Sequence, residues 1–264
     1  MPLTDLRVLD SVTQLGGDAD SVVVAASHGG AYAGYLAADA GARGVVLNDA
    51  GGGKGGAGYG ALPVLDRVGL AAATVGHDTA RIGDGVDSLR NGVITHVNDA
   101  AADLGCRVGD DAIDCATGLR DGTPPDSVPD HGTARYRLRD GDTPVWGMDS
   151  LSLIRPSDAD CVVVTGSHGA RLAGETESYV RTDVAGAVFN DAGGGKDGAG
   201  TSRLPMLADY GVPAATVAAA SARIGDGRET WQGTLSAVNT PARDLGAAPG
   251  DDCPEFARLV AEAD

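Results

Sequence analysis

The chain has 264 residues, 42% of them hydrophobic and only 4% aromatic, with a formal net charge of −17. That length and apolar content support one large domain or two small ones, with cores of Ala, Val, Leu and Ile. The charge excludes a nucleic-acid groove as the default reading. No apolar run reaches the roughly 18 residues of a membrane span, and the opening MPLTDLRVLDS lacks a charged-then-apolar signal pattern.

The acid excess is almost all aspartate, since the only glutamates are Glu175, Glu177, Glu229, Glu255 and Glu262. Lysine stands only at Lys54 and Lys196, and every other basic residue is arginine. An aspartate-rich, lysine-poor surface suits concentrated salt, which screens self-repulsion. A halophilic source is therefore expected. A GC-rich genome is the alternative, because it also trades Lys for Arg. Cys106, Cys115, Cys161 and Cys253 show no metal-ligand spacing and read as reduced thiols of a cytoplasmic protein.

Along the chain, SVVVAAS (21–27) is a buried-strand run and GAYAGYLAADAG (30–41) a helix ended by Gly41. GVVLN (44–48) is a strand that runs into the loop NDAGGGKGGAG (48–58). GALPVLDRVG (60–69) is a short helix, AAATV (71–75) a strand, and ARIGDG (80–85) a polar turn. Val93, Ile94, Val97, Ala101 and Leu104 recur at helical spacing, and Gly105 closes that helix. TPPDSVPDHG (123–132) is a loop by its prolines, and ARYRLRDGDTPVWGM (134–148) reads as a hairpin around Asp-Gly.

The pattern then returns. DADSVVVAASHGG (18–30) matches DADCVVVTGSHGA (158–170), NDAGGGKGGAG matches NDAGGGKDGAG (190–200), and ARIGDG recurs at 222–227. LPVLDRVGLAAATV (62–75) matches LPMLADYGVPAATV (204–217), and GVITHVNDAAADLG (92–105) matches GTLSAVNTPARDLG (233–246). Two copies are not a solenoid array. The expected fold is α/β and internally duplicated, with two similar lobes of mostly parallel sheet related by a pseudo-two-fold axis. The expected parts are a first repeat over 1–111, a connecting segment over 112–147 and a second repeat over 148–264.

In a parallel sheet the loops after strands gather at the carboxyl edge, where α/β ligands bind. The candidate site is built on that edge. Its catalytic candidates are Ser27, His28 and Lys54, with Ser167, His168 and Lys196 in the second copy. Its binding candidates are Asn48, Asp49, Gly51, Gly52, Gly53, Arg81 and Asp84, with Asn190, Asp191, Gly193, Gly194, Gly195, Arg223 and Asp226. Successive glycines can point N–H groups into an anion nest, and an ammonium suits a carboxylate, a phosphate or an oxyanion. The loop is not a Walker A motif, because Asn48 and Asn190 stand where its first glycine belongs and Gly55 and Asp197 follow the lysines.

AASHGG locally resembles the nucleophile elbow of α/β-hydrolases, with Ser27 at a strand-to-helix turn and Ala25 in the first glycine position. The resemblance covers about thirty residues per copy, and each copy is too short for that whole fold. The resemblance does not extend to the whole fold, and the mechanism expected from the motifs themselves is acyl-transfer hydrolysis in which Ser27 attacks, Lys54 or His28 acts as base and the Gly51–Gly53 N–H groups hold the oxyanion. A structural role for each motif stands beside this: Ser27 as a helix cap, the lysines in salt bridges, and Arg81–Asp84 and Arg223–Asp226 as pairs within their loops.

His77 and His96 occur only in the first copy, facing Ala219 and Ala237 in the second. A metal held by His28, Asp49, His77 and Asp84 has no spacing signature behind it. The reading is a hydrolase acting on a compact carboxylate- or amide-type molecule. The alternatives are a non-enzymatic small-anion binder and a Lys-dependent lyase or isomerase. The expected partner is a small anionic or amide-containing substrate, with no nucleic acid and no membrane. Oligomerisation with further copies is left open, and no cofactor is named.

Overall fold

The computed structural model describes residues 5–16, 19–132, 134–174, 180 and 182–263. The protein is α/β, with two mostly parallel sheets of five and six strands.

The first sheet has the order β1 (Leu6–Leu9), β2 (Val22–His28), β3 (Gly44–Asn48), β4 (Ala71–Val75), β5 (Ile94–Val97). All neighbours pair in parallel except β4 with β5. Strands β2, β3 and β4 are buried over their whole length, so they read as continuous apolar runs rather than alternating ones. Helices α1 (Ala31–Asp39) and α2 (Leu62–Asp66) cover one face, over Val23, Val45, Leu47 and Ala72. The other face, with Val22, Val24, Val46 and Ala73, packs against α4 (Asp99–Asp103) and α5 (Ala112–Gly118). Helix α3 (Gly85–Asn91) adds Leu89 to that layer.

The second sheet begins with the expected hairpin, β6 (Arg135–Arg139) antiparallel to β7 (Val145–Met148). Strand β7 then pairs in parallel with β8 (Val162–His168), as β1 does with β2. The rest of the order is β9 (Gly186–Asn190), β10 (Ala214–Val217) and an antiparallel β11 (Leu235–Val238). Helix α6 (Arg203–Asp209) lies over Val163, Ala187 and Phe189. On the opposite face, α8 (Thr240–Asp244) and α9 (Cys253–Ala261) pack with Trp231 of α7 (Gly227–Trp231) over Val162, Val164 and Val188. Residues 112–147 thus give α5 to the first core and β6 and β7 to the second sheet.

Two sequence expectations need correction. The stretch 93–104 is not one helix. Ile94–Val97 is a strand, and α4 starts only after Asn98, whose side chain caps it by accepting from Ala101 N. The same side chain accepts from Ala72 N and donates to Leu70 O, which fixes the strand-to-helix corner. The β-branched run Val93-Ile94-Thr95 favours a strand, and over so few residues apolar spacing fits either element. The second correction is redox. Cys106 and Cys115 are joined in a disulfide, with their Cα atoms 4.8 Å apart, while Cys161 and Cys253 are buried free thiols. The reading of four reduced thiols fails, and the cytoplasmic expectation loses that support. Among the described residues no helix is long and apolar enough to cross a membrane.

Candidate functional site

The polar loops do gather at one edge. His28 pairs with Asn48 and Asn48 with Val75, so β2, β3 and β4 end together, and His168, Asn190 and Val217 end together in the second sheet. Between Val24 and His28, β2 advances four residues while β3 advances two, and β8 repeats this against β9. The irregularity frees Ala26 O to accept from Gly83 N, and Gly166 O to accept from Gly225 N. Each ARIGDG turn is anchored to its sheet in this way.

The two edges face each other. Ala50, Ala57 and Ile82 form one apolar cluster with Ala170, Ala192, Ala199 and Ile224. Gly51 and Gly193 meet so closely that a Cβ on either would stand 3.0 Å from the other's Cα, and both have φ +72°. Glycine is required there for both reasons. Lys54 N donates to Ala219 O at 2.8 Å, and Lys196 N to His77 O at 2.6 Å.

This contact absorbs most of the sequence-derived site. Lys54 Nζ bridges Glu229 at 2.7 Å and Lys196 Nζ bridges Asp87 at 2.9 Å. The two acids stand at matched positions of the repeat. Burial pushes the Asp87 carboxyl up, but hydrogen bonds from Lys196, Arg81 N and Asn91 outweigh it and hold it below the ordinary value. Asn48 donates to Ala80 O and accepts from Ala50 N, and Asn190 does the same with Ala222 and Ala192. These asparagines clamp the glycine loops to the ARIGDG turns. Asp84 and Asp226 cap α3 and α7. Arg81 contacts Asp84 at 3.5 Å and also pairs with Asp197 of the other loop. Arg223 is exposed and lies beside Gly55, the position matched to Asp197.

Ser27 is not brought to a base. Its buried Oγ accepts from Val12 N at 2.9 Å and lies 3.5 Å from Ser11 Oγ. Ser167 accepts from Leu151 N in the same manner. His28 and His168 are buried, with ring centroids 6.5 Å apart across the contact. Each Nδ1 accepts a backbone N–H two residues on, from Gly30 and Ala170. Burial pulls the His28 pKa down to about 4, and burial followed by repulsion from His28 and Arg203 pulls His168 well below its ordinary value. The first loop's glycine N–H groups are spent internally: Gly51 on the Asp49 carboxylate, Gly52 on Asp49 O and Gly53 on Gly51 O. In the second, Gly193 and Gly194 are spent on Asp191. The anion-nest expectation is left without these donors.

A different constellation emerges around Asp49. Its Oδ1 accepts from Gly51 N, from His77 N at 2.9 Å and from His77 Nδ1 at 3.1 Å. Its Oδ2 accepts from Thr95 Oγ1 at 3.0 Å. Thr95 and Thr74 continue the network to His96 Nδ1, at 3.1 and 3.2 Å, and the His96 ring stacks on Tyr59 with centroids 3.9 Å apart. Asp49 is 9% exposed in its side chain and His77 32%. A buried carboxylate holding Nδ1 leaves Nε2 as the open nitrogen of a ring that solvent reaches. The edge of that ring lies against the opposing loop, since a Cβ on Gly193 would come 3.3 Å from His77 Cδ2. Sequence reasoning singled out His77 and His96 by their absence from the second copy, but it left them off the site and missed Thr74, Thr95 and Tyr59. The Tyr59-to-Thr201 exchange was a third signal of the same kind.

Grooves of about 430 Å³ beside α6 and α8, and about 450 Å³ beside β9 and α6, contain none of the sequence-derived site residues. Among the described residues no group of three or more His, Cys, Asp and Glu is placed to hold a metal ion. Compared with protein families, with curated proteins and with solved structures, the chain matches none.

Proposed function

We propose that the chain is a small-molecule hydrolase in which the Asp49–His77 pair is the general base. The observation that carries this is the 3.1 Å contact from His77 Nδ1 to Asp49 Oδ1 in a partly exposed setting beside the glycine loops. Asp49 fixes the tautomer and stabilises the imidazolium. Nε2 takes a proton from water as the water oxygen adds to an acyl carbon, and returns it to the leaving group. The substrate is a compact carboxylate- or amide-type molecule small enough to reach the solvent-accessible part of the His77 ring.

The proposal includes an internal duplication with the copies about a pseudo-two-fold axis. Its support is the reciprocal contact set: Lys54 with Glu229 and Lys196 with Asp87, Lys54 N with Ala219 O and Lys196 N with His77 O. In this arrangement the first copy carries the chemistry and the glycine loops hold the copies together. Cytoplasmic residence stays in the proposal, with the Cys106–Cys115 disulfide counting against it; thiol labelling of freshly lysed native cells decides whether the bond is present there.

A second reading, a non-enzymatic binder of small anions, draws on Arg223, whose exposed guanidinium lies beside Gly55 where Arg81 has Asp197. The lyase alternative has less behind it, because both lysine ammoniums are engaged by carboxylates. Turnover separates the readings. Amides, esters, lactams and phosphoesters are screened at molar KCl, and an active substrate is then tested on variants. His77→Ala and Asp49→Asn are expected to lose about 10²–10⁴ in rate, the usual worth of a general base. Ser27→Ala, if it folds, keeps the rate. Full activity in His77→Ala removes the proposal.

A further inference from the structure

Asp49 and Asp191 occupy matched positions and begin the same loop, yet they are served differently. Asp49 accepts four hydrogen bonds: from Gly51 N, His77 N, His77 Nδ1 and Thr95 Oγ1. Asp191 accepts two, from Gly193 N and Ala219 N, both on Oδ1. Among the described residues no donor reaches its Oδ2. The missing donors are the two side-chain ones. Ala219 stands in place of His77, and Ser236, in place of Thr95, turns its hydroxyl to Thr216 at 3.0 Å.

The space above the two loops differs in the same sense. In the first loop the Tyr59 ring covers the glycines, and a Cβ on Gly56 would meet it at 2.9 Å and one on Gly52 at 3.6 Å. His96 stacks on that ring. In the second loop Thr201 and Ala237 replace both rings, and a Cβ on Gly194 or Gly198 would meet nothing within 4 Å. Asp191 itself is partly exposed.

We infer that the second copy binds a ligand that supplies what the first copy supplies from its own side chains: a planar cation with two N–H donors, carried on an aromatic ring. An amidinium or an aminated heterocycle has this form. One N–H would take the place of His77 Nδ1 on Oδ1 and the other the place of Thr95 on Oδ2, giving a bidentate, charge-assisted pair. The ring would lie over Gly194, where the first copy puts Tyr59 and His96. The proposal does not depend on the Asp49–His77 reading, although Gly193 of this loop also lies against the edge of the His77 ring.

Benzamidine is the probe, titrated into the full chain at constant salt and followed by amide chemical shifts. Saturable binding that moves the Gly193 and Gly194 amides is expected. Asp191→Asn should weaken it by about ten-fold or more, the scale of one lost charge-assisted hydrogen bond. Thr201→Tyr combined with Ala237→His, which rebuilds the covering rings, should abolish it. Asp209→Asn, an exposed acid on α6, controls for the general attraction of an acidic surface and should change nothing. Should the double variant not fold, the two aspartate variants decide. Absence of binding, equal weakening in Asp191→Asn and Asp209→Asn, or shifts confined to other loops overturns the inference.

Discussion

The buried histidine pair makes stability depend on pH in a defined window. His28 has a pKa of about 4 in the folded protein against about 6.5 for an unfolded chain. A base whose folded pKa is depressed is protonated more readily when unfolded. Stability is therefore complete above pH 6.5, falls as pH drops from 6.5 toward 4, and loses nothing further from this group below that. Between pH 7.5 and 4.5 the linkage amounts to about 2.5 kcal/mol from His28 alone. His168, also depressed by burial, adds to it in the same direction. The perturbation is His28→Asn, whose Oδ1 can still accept from Gly30 N as Nδ1 does at 3.1 Å. Any packing loss in the variant is the same at both pH values and cancels. Urea unfolding at pH 7.5 and 4.5, at fixed molar KCl, gives the two differences. The wild type should lose about 2.5 kcal/mol more than the variant over this interval. Carboxylate titrations are common to both and drop out. Equal losses in wild type and variant would refute the reasoning, because a buried neutral His28 could not then be coupled to folding.

Three further outcomes are expected. Lys196→Met should cost about 1.5–3 kcal/mol in urea unfolding, by stranding the largely buried Asp87, whereas Lys54→Met, at a half-exposed bridge, should cost about 1 kcal/mol or less; the reverse order would contradict the contact geometry. Reducing the Cys106–Cys115 disulfide, which spans nine positions, should lower stability by about 2.7 kcal/mol on the loop-entropy scale, read as a shift in the urea midpoint against a reduced Cys106→Ser control. The melting temperature should rise as KCl goes from about 0.1 M, where the Debye length is already about 10 Å, to the molar range; a flat response leaves genome composition as the origin of the aspartates.

The sequence by itself determined the local order. The apolar runs at 22–28, 44–48 and 71–75 became buried strands, and glycine-rich loops after them had to gather at the carboxyl edge of a parallel sheet. These are short-range matters of periodicity and backbone permissiveness, and they are written residue by residue. The 93–104 stretch was misread because four strand residues and a one-turn helix share the spacing of a single helix. Only the tertiary structure decided what the edge faces. Lys54 finds its acid 175 residues away and Lys196 finds Asp87 109 residues away. Ile82 and Ala50, which look like turn fillers in the sequence, become part of an apolar cluster between the edges of the two sheets. The partner of a loop depends on how two sheets pack, and no local spacing carries that information. For the same reason neither lysine's carboxylate partner is legible in the sequence, and Asp49 and His77, 28 positions apart, become a pair only where β3 and β4 end side by side.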